Sequence, residues 1–335
     1  MVDLYGRSYL KDTDLNAEEY GFLLDLAAAL RQEKRAGAGR PLLAGKNVAL
    51  LFAKTSTRTR SAFEVATSDL GGHPTYLGPG ETQFGVKEST ADTARVLGRM
   101  FDGIEFRGSA HADAETLAAR AGVPVWNGLT DQWHPTQSLS DLLTMRDHSD
   151  RPLDEVSVCF LGDASNNTCA SLLTAGALMG MDVRVAAPLG RRPTAAVWQA
   201  AGVLAAASGA HLTLTDDAHA AVDGADFLYT DVWLSMGEDP ALWDERIDLL
   251  LPFQVNAKLM AETGRPDVKF MHCLPAFHDT GTEIGRAIHE RRGLEALEVT
   301  DEVFESDASI VFDQAENRLH TIKALMAATL SRSGR

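Results

Sequence analysis

The chain has 335 residues, 45 % hydrophobic and 23 % charged, which is the composition of an ordinary globular protein of about two domains. Its 31 Lys and Arg against 47 Asp and Glu give a net charge of −16, which excludes nucleic acid and anionic membrane as expected partners and leaves an anion only a local positive site. Three cysteines, no apolar signal-type N-terminus and no apolar run near the roughly 20 residues of a membrane span predict a cytoplasmic location.

In chain order, Asn16 and Glu19 have capping-box spacing, and Leu23, Leu26, Ala27 and Leu30 follow at helical intervals toward Lys34 and Arg35. A strand is predicted at 47–52, then strands at 75–77, 104–106 and 123–126, with helices at 60–70, 90–101 and 112–121 between them. A long helix over about 135–148 ends at Ser149-Asp-Arg-Pro152, where the domain boundary is placed. The second half predicts strands at 156–161, 183–187, 211–214, 227–230, 269–272 and 309–312. Its helices are predicted at 168–180, 194–208, 241–250 and 255–262, with a last one from Glu316 to Leu330. This alternation predicts an α/β protein with two doubly wound parallel-sheet domains of similar size, 1–148 and 149–315, and a C-terminal helix, 316–335, packing back on the first.

Ligands of open α/β sheets bind beyond the carboxyl ends of strands, which directs attention to the loops after Phe52, Phe106, Trp126, Leu161, Thr230 and His272. The first reads Ala53-Lys-Thr-Ser56-Thr57-Arg58-Thr59-Arg60 and runs into a helix. Hydroxyls, guanidinium and unpaired backbone N–H groups at a helix N-terminus suit a phosphate. Capping explains one Ser or Thr there, but two arginines in the first turn oppose the dipole. The stretch Gly39 to Asn47 lacks Walker spacing, and Gly162-Asp163-Ala-Ser-Asn-Asn167 has one glycine where a dinucleotide fingerprint needs three. Arg107 at a strand end reads as surface charge, and His134, before Pro135 at a helix start, as structural, when each is taken alone. A metal reading of His272, Cys273 and His278 is disfavoured, because His272 and Cys273 are expected on opposite faces of their strand and should not share a metal. Cys273 has no obvious base nearby in sequence to make it a nucleophile.

Five stretches in order, Ser56-Thr-Arg-Thr-Arg60, His134-Pro-Thr-Gln137, Asp231-Val-Trp-Leu-Ser-Met-Gly237, His272-Cys-Leu-Pro-Ala276 and Asp313-Gln-Ala-Glu-Asn-Arg318, resemble the aspartate/ornithine carbamoyltransferase family, nearest its ornithine branch. The resemblance implies carbamoyl transfer from carbamoyl phosphate to the side-chain amine of L-ornithine, giving citrulline and phosphate, a reaction of arginine metabolism in either direction. It implies an active site in a cleft between the domains and assembly as a homotrimer or trimers of it. No metal or organic cofactor is expected. It assigns Ser56, Thr57, Arg58 and Thr59 to the phosphate, with Gln83 from a neighbouring subunit, and Arg107, His134 and Gln137 to the carbamoyl end. Cys273, the Leu274 carbonyl and Arg318 would line the reacting centre, and Asn167, Asp231, Ser235 and Met236 would bind ornithine. Arg107, His134, Cys273 and Asp231 are the expected catalytic set. The chain departs from the family pattern at Ala53, Gly80-Glu81-Thr82, Val86, Ser165 and Thr168-Cys169-Ala170, so the alternative is the same transfer to another amino acid or diamine.

Overall fold

The computed structural model describes residues 2–234 and 238–332. The chain forms two compact units: residues up to 143 together with those from 316 onward, and residues 144–315.

The first unit opens with α1 (Ala17–Arg35), whose capping box is closed by two hydrogen bonds of 3.0 Å, Glu19 N–H to Asn16 Oδ1 and Asn16 N–H to Glu19 Oε2. Then β1 (Asn47–Phe52), α2 (Thr57–Asp69), β2 (His73–Leu77), α3 (Thr90–Met100), β3 (Gly103–Arg107), α4 (His111–Ala121), β4 (Val125–Leu129) and α5 (Pro135–Asp147) follow. The four strands are parallel in the order β2-β1-β3-β4. Val48 to Phe52 are all buried, as a strand covered on both faces requires. One face of the sheet packs Ala49, Leu51, Ile104 and Phe106 on Leu97 and Leu117.

The second unit runs β5 (Ser157–Leu161), α6 (Asn167–Leu178), β6 (Asp182–Ala186), α7 (Ala195–Ser208), β7 (His211–Thr215), α8 (Ala218–Val222), β8 (Phe227–Thr230), α9 (Trp243–Leu250), α10 (Ala257–Glu262), β9 (Lys269–His272), α11 (Glu283–Arg292), α12 (Asp301–Phe304) and α13 (Val311–Leu330), the last passing into the first unit from Glu316. Its five parallel strands are ordered β7-β6-β5-β8-β9.

Both orders reverse direction once, between β1 and β3 and between β5 and β8. A crevice opens at such a reversal, because the loops leave to opposite faces. Phe52 pairs with Arg107 and Leu161 with Thr230, so the ends of these strand pairs are level. Topology therefore singles out the loops after Phe52, Arg107, Leu161 and Thr230.

The expected strand at 309–312 is not formed. Ser309 makes one bridge to Phe270, and α13 starts at Val311 rather than Glu316. Ile310 and Val311 are consecutive and both buried while Phe312 is exposed, a pattern that breaks strand alternation and fits a helix start.

Candidate active site

In the first unit the loop after β1 delivers Ser56 as the N-cap of α2, its Oγ accepting from Thr59 N–H at 3.3 Å. The cap occupies the Thr59 N–H, and the other first-turn N–H groups of α2 lack intrahelical acceptors, where the dipole favours an anion. Thr59, 1 % exposed, is the hub: its Oγ1 accepts from Arg318 Nη2 at 3.0 Å and Arg107 Nη1 at 3.3 Å. With both acceptor positions used, its hydroxyl proton remains to donate. Arg318, on α13, also donates to Gln137 Oε1 at 2.8 Å and reaches Thr136 Oγ1 at 3.4 Å. Gln137 Nε2 is anchored on Asp141 Oδ1 at 2.8 Å. Arg60 faces elsewhere: its guanidinium lies 3.6 Å above the Tyr76 ring and pairs with Glu64. Of the two first-turn arginines, stacking and an ion pair therefore account for Arg60.

His134 stands immediately before α5, where its backbone carbonyl accepts from Gln137 N–H. Its Nε2 is 3.2 Å from Arg318 Nη1. A guanidinium only donates, so Nε2 must accept, and the ring is neutral with its proton on Nδ1. Burial, followed by the charges of Arg318, Arg107 and Arg58, holds its pKa well below the ordinary histidine value. The donor this histidine can offer an oxyanion is therefore Nδ1–H.

In the second unit the loop after β8 presents Asp231, 8 % exposed. Its Oδ1 accepts from the Cys273 thiol at 3.1 Å and the Val232 N–H at 2.8 Å, and its Oδ2 from Asn166 Nδ2 at 3.1 Å. Asn166 is the N-cap of α6 and Asn167 its first residue, so the capping asparagine is the one that orients the carboxylate. Thr168 Oγ1 bonds Asn167 Oδ1 and lies 4.0 Å from Cys273 Sγ. Sequence reasoning marked Thr168 only as a departure from the family pattern and missed Asn166, whose signal was its place three residues before Cys169, whose N–H it accepts at 2.9 Å.

The turn after β9 is fixed from beneath. His272 and Glu298 are both fully buried, with Nε2 and Oε1 3.3 Å apart. His272 Nδ1 accepts from the Leu274 N–H at 2.8 Å, and Leu274 holds a left-handed φ of 59°. The expectation of opposite faces fails here: one ligating atom each of Asp231, His272 and Cys273 lie within 4.8 Å of one another. Strand geometry stops at His272, so alternation no longer separates it from Cys273. Of the imidazole nitrogens, Nδ1 is engaged by the Leu274 N–H, whereas Nε2 faces Glu298 without a hydrogen bond. His278 lies apart from this group and instead meets Asp301 Oδ1 at 2.6 Å.

The structure thus gathers Ser56, Thr59, Arg107, His134, Gln137 and Arg318 into one cradle at the start of α2, and Asp231, Asn167 and Cys273 into another group. Gln83 is not brought to the cradle; it is exposed in the turn between β2 and α3, where its carbonyl accepts from Val86, Lys87 and Glu88. Ser235 and Met236 lie outside the described residues. Arg246, 2 % exposed, ties Asp163 of the loop after β5 at 2.5 Å to Glu238 of the loop after β8 at 2.6 Å, so one buried guanidinium braces both loops through two ion pairs. No helix among the described residues is long and apolar enough to cross a membrane.

Residues 7–147 match the carbamoyl-P binding domain of the aspartate/ornithine carbamoyltransferases, and residues 154–329 match their Asp/Orn binding domain. The chain is 55 % identical over 329 residues to the catabolic ornithine carbamoyltransferase of Rhizobium meliloti (strain 1021), covering 98 % of both. It superposes on an ornithine carbamoyltransferase from Pyrococcus furiosus with a TM-score of 0.90 at 43 % identity, covering 98 % of this chain and 99 % of that one. The anabolic ornithine carbamoyltransferase from Campylobacter jejuni subsp. jejuni gives a TM-score of 0.84 at 33 % identity, covering 96 % and 97 %. Fold and matches together define a carbamoyltransferase. More particularly, the chain belongs to the aspartate/ornithine carbamoyltransferase family.

Proposed function

We propose that the chain transfers the carbamoyl group of carbamoyl phosphate to the side-chain amine of L-ornithine, giving L-citrulline and phosphate. The observation that carries the reading is the cradle itself: three guanidiniums act on a histidine that must stay neutral, at the N-terminus of α2. Ser56, Thr57, Arg58, Thr59 and the α2 amides hold the phosphate, with Gln83 added by a neighbouring subunit of a homotrimer. Arg107, His134 and Gln137 hold the carbamoyl group, Arg318 orders His134 and Gln137 directly and shares Thr59 with Arg107, and the Leu274 carbonyl accepts from the carbamoyl NH2. Asn167, Asp231, Ser235 and Met236 bind ornithine, and the names of the relatives favour ornithine over another amine. No metal or organic cofactor takes part.

The neutral amine attacks the carbamoyl carbon and a C–N bond forms. Charge on the carbamoyl oxygen falls to Arg107, the Thr59 hydroxyl and His134 Nδ1–H, and preorganised donors of this kind are usually the largest catalytic contribution. The bond from the carbamoyl carbon to the bridging oxygen then breaks, and the phosphate leaves with that oxygen onto Arg58 and the α2 N-terminus. The proton lost by the amine passes toward Asp231, beside Cys273, which acts as a polar contact and forms no bond to the carbamoyl carbon.

Two measurements test this. Phosphate release over a panel of ornithine, putrescine, lysine, diaminopropionate and aspartate should be fastest with ornithine; a better amine would replace the acceptor assignment. A Lys-like amine has a pKa near 10.4, and His134, with its lowered value, is uncharged across the neutral range. The value of kcat/KM for ornithine should therefore rise from about pH 6 to about 8 without an inflection from histidine. A profile flat over that range, with chemistry limiting, contradicts attack by the neutral amine.

A further inference from the structure

Glu105 is a carboxylate inside β3 that the chemistry above leaves unused. It precedes Arg107 by two residues, so both side chains leave the same face of the strand. It is fully buried, and neither carboxylate oxygen has a hydrogen-bond partner among the described residues. A Cβ built on Gly128 would stand 2.0 Å from Glu105 Oε1 and 3.1 Å from the Thr59 methyl. The carboxyl thus fills the space left by the missing side chain, against the hub of the cradle. Across the sheet its partners are Leu50 of β1 and Trp126 of β4, neither of them charged. The charges acting on it are Arg107, from its own strand, and Arg318, from α13. Arg58 of α2 and the neutral His134 before α5 face the same cradle.

These surroundings pull in two directions. Burial without hydrogen bonds pushes the carboxyl well above the ordinary carboxylate range, and the two guanidiniums draw it back. An anion bound to those guanidiniums would cancel the second effect and leave the first. Ligand occupancy and the charge of Glu105 are therefore linked.

We propose that Glu105 is a positioning residue that couples protonation to anion binding: protonated, it leaves Arg107 and Arg318 to the phosphate-bearing substrate, and ionised, it competes with that substrate for the same two guanidiniums. This rests on the reading of the cradle as the carbamoyl phosphate site. At a pH where the empty cradle holds an ionised Glu105, binding takes one proton from solvent onto a carboxylate oxygen, and release returns it. Since the protonated form prevails below the carboxyl's own value, affinity is retained on the acid side and lost as pH rises through it.

The probe is phosphonoacetamide, a stable phosphonate with the same carboxamide end, titrated by calorimetry without amine from about pH 6 to about 9.5 in buffers of different ionisation heat. Comparison with Glu105→Gln removes ionisation of the ligand itself. Wild-type affinity should fall relative to Glu105→Gln by roughly tenfold toward the alkaline end, which corresponds to about 1.4 kcal/mol of competition. Wild type should also take up a proton there, and the variant should not. Glu105→Leu, apolar and of similar length, should behave like Glu105→Gln and guards against misfolding of the amide variant. Parallel pH curves overturn the proposal, as does a loss equal at every pH, which marks a packing role. Absence of proton uptake by wild type at the alkaline end overturns it without any variant. If the analogue fails to bind wild type, or binds Arg58→Ala equally well, it is the cradle reading that fails.

Discussion

Arg318→Ala should lower kcat/KM for carbamoyl phosphate by roughly 10²–10³-fold, the scale of losing a preorganised donor at a developing charge. The expectation follows from what one side chain does. Its guanidinium touches Gln137, Thr59, Thr136 and His134, so truncation removes a charge and releases four neighbours together. Gln137 and Thr59 are 1 % exposed, and an acceptor stranded there costs about 1–3 kcal/mol. Freed from Arg318, His134 also loses the contact that fixes its proton on Nδ1. Arg318→Lys should recover little, because an ammonium cannot span Thr59 and Gln137 as a planar fork does. Steady-state kinetics at saturating amine would read this directly. A variant within about threefold of wild type would place the cradle's organising charge elsewhere.

Asp231→Asn should act on the other substrate. The carboxylate accepts from Cys273, Val232 and Asn166 at once, and an amide must turn an NH2 toward one of those donors. Loss of charge-assisted bonds of about 1.5–3 kcal/mol corresponds to roughly 10–150-fold in kcat/KM for ornithine, with the KM for carbamoyl phosphate nearly unchanged. Should the variant instead weaken carbamoyl phosphate binding and spare ornithine, the division of labour proposed for the two units would be wrong.

Where a residue sequence carried a full structural period, the fold was legible in it. The apolar run Val48 to Phe52 is a strand because no alternation interrupts it, and Asn16 with Glu19 closes the capping box their spacing implied. The missed helices lack that signal. α8 and α12 are too short for one apolar repeat, and α11, Glu-Ile-Gly-Arg-Ala-Ile-His-Glu-Arg-Arg, buries only Gly285 and Ile288. At the site, the order of the motifs named the participants but not their partners. Only the family pattern separates Arg58 from Arg60 in the sequence; the physical reason is the Tyr76 ring, which claims the second. The same pattern selected Asn167, and the role of Asn166 emerges only once the start of α6 is known. Glu105 was invisible because a lone acid between Ile104 and Phe106 belongs to no motif, and only the strand order shows that β3 is central and fully buried.

The three thiols occupy very different surroundings. Cys159 and Cys169 are sealed in the interior, where burial pushes the first up to about 12 and the second well up as well, while Cys273 is only partly covered. Thiolate character and access govern alkylation. The native polypeptide therefore carries a single natural attachment point for a fluorophore or spin probe, beside Asp231, with no need to engineer other cysteines away. Because Cys273 donates to Asp231 in the proposed amine site, bound amine should slow that modification.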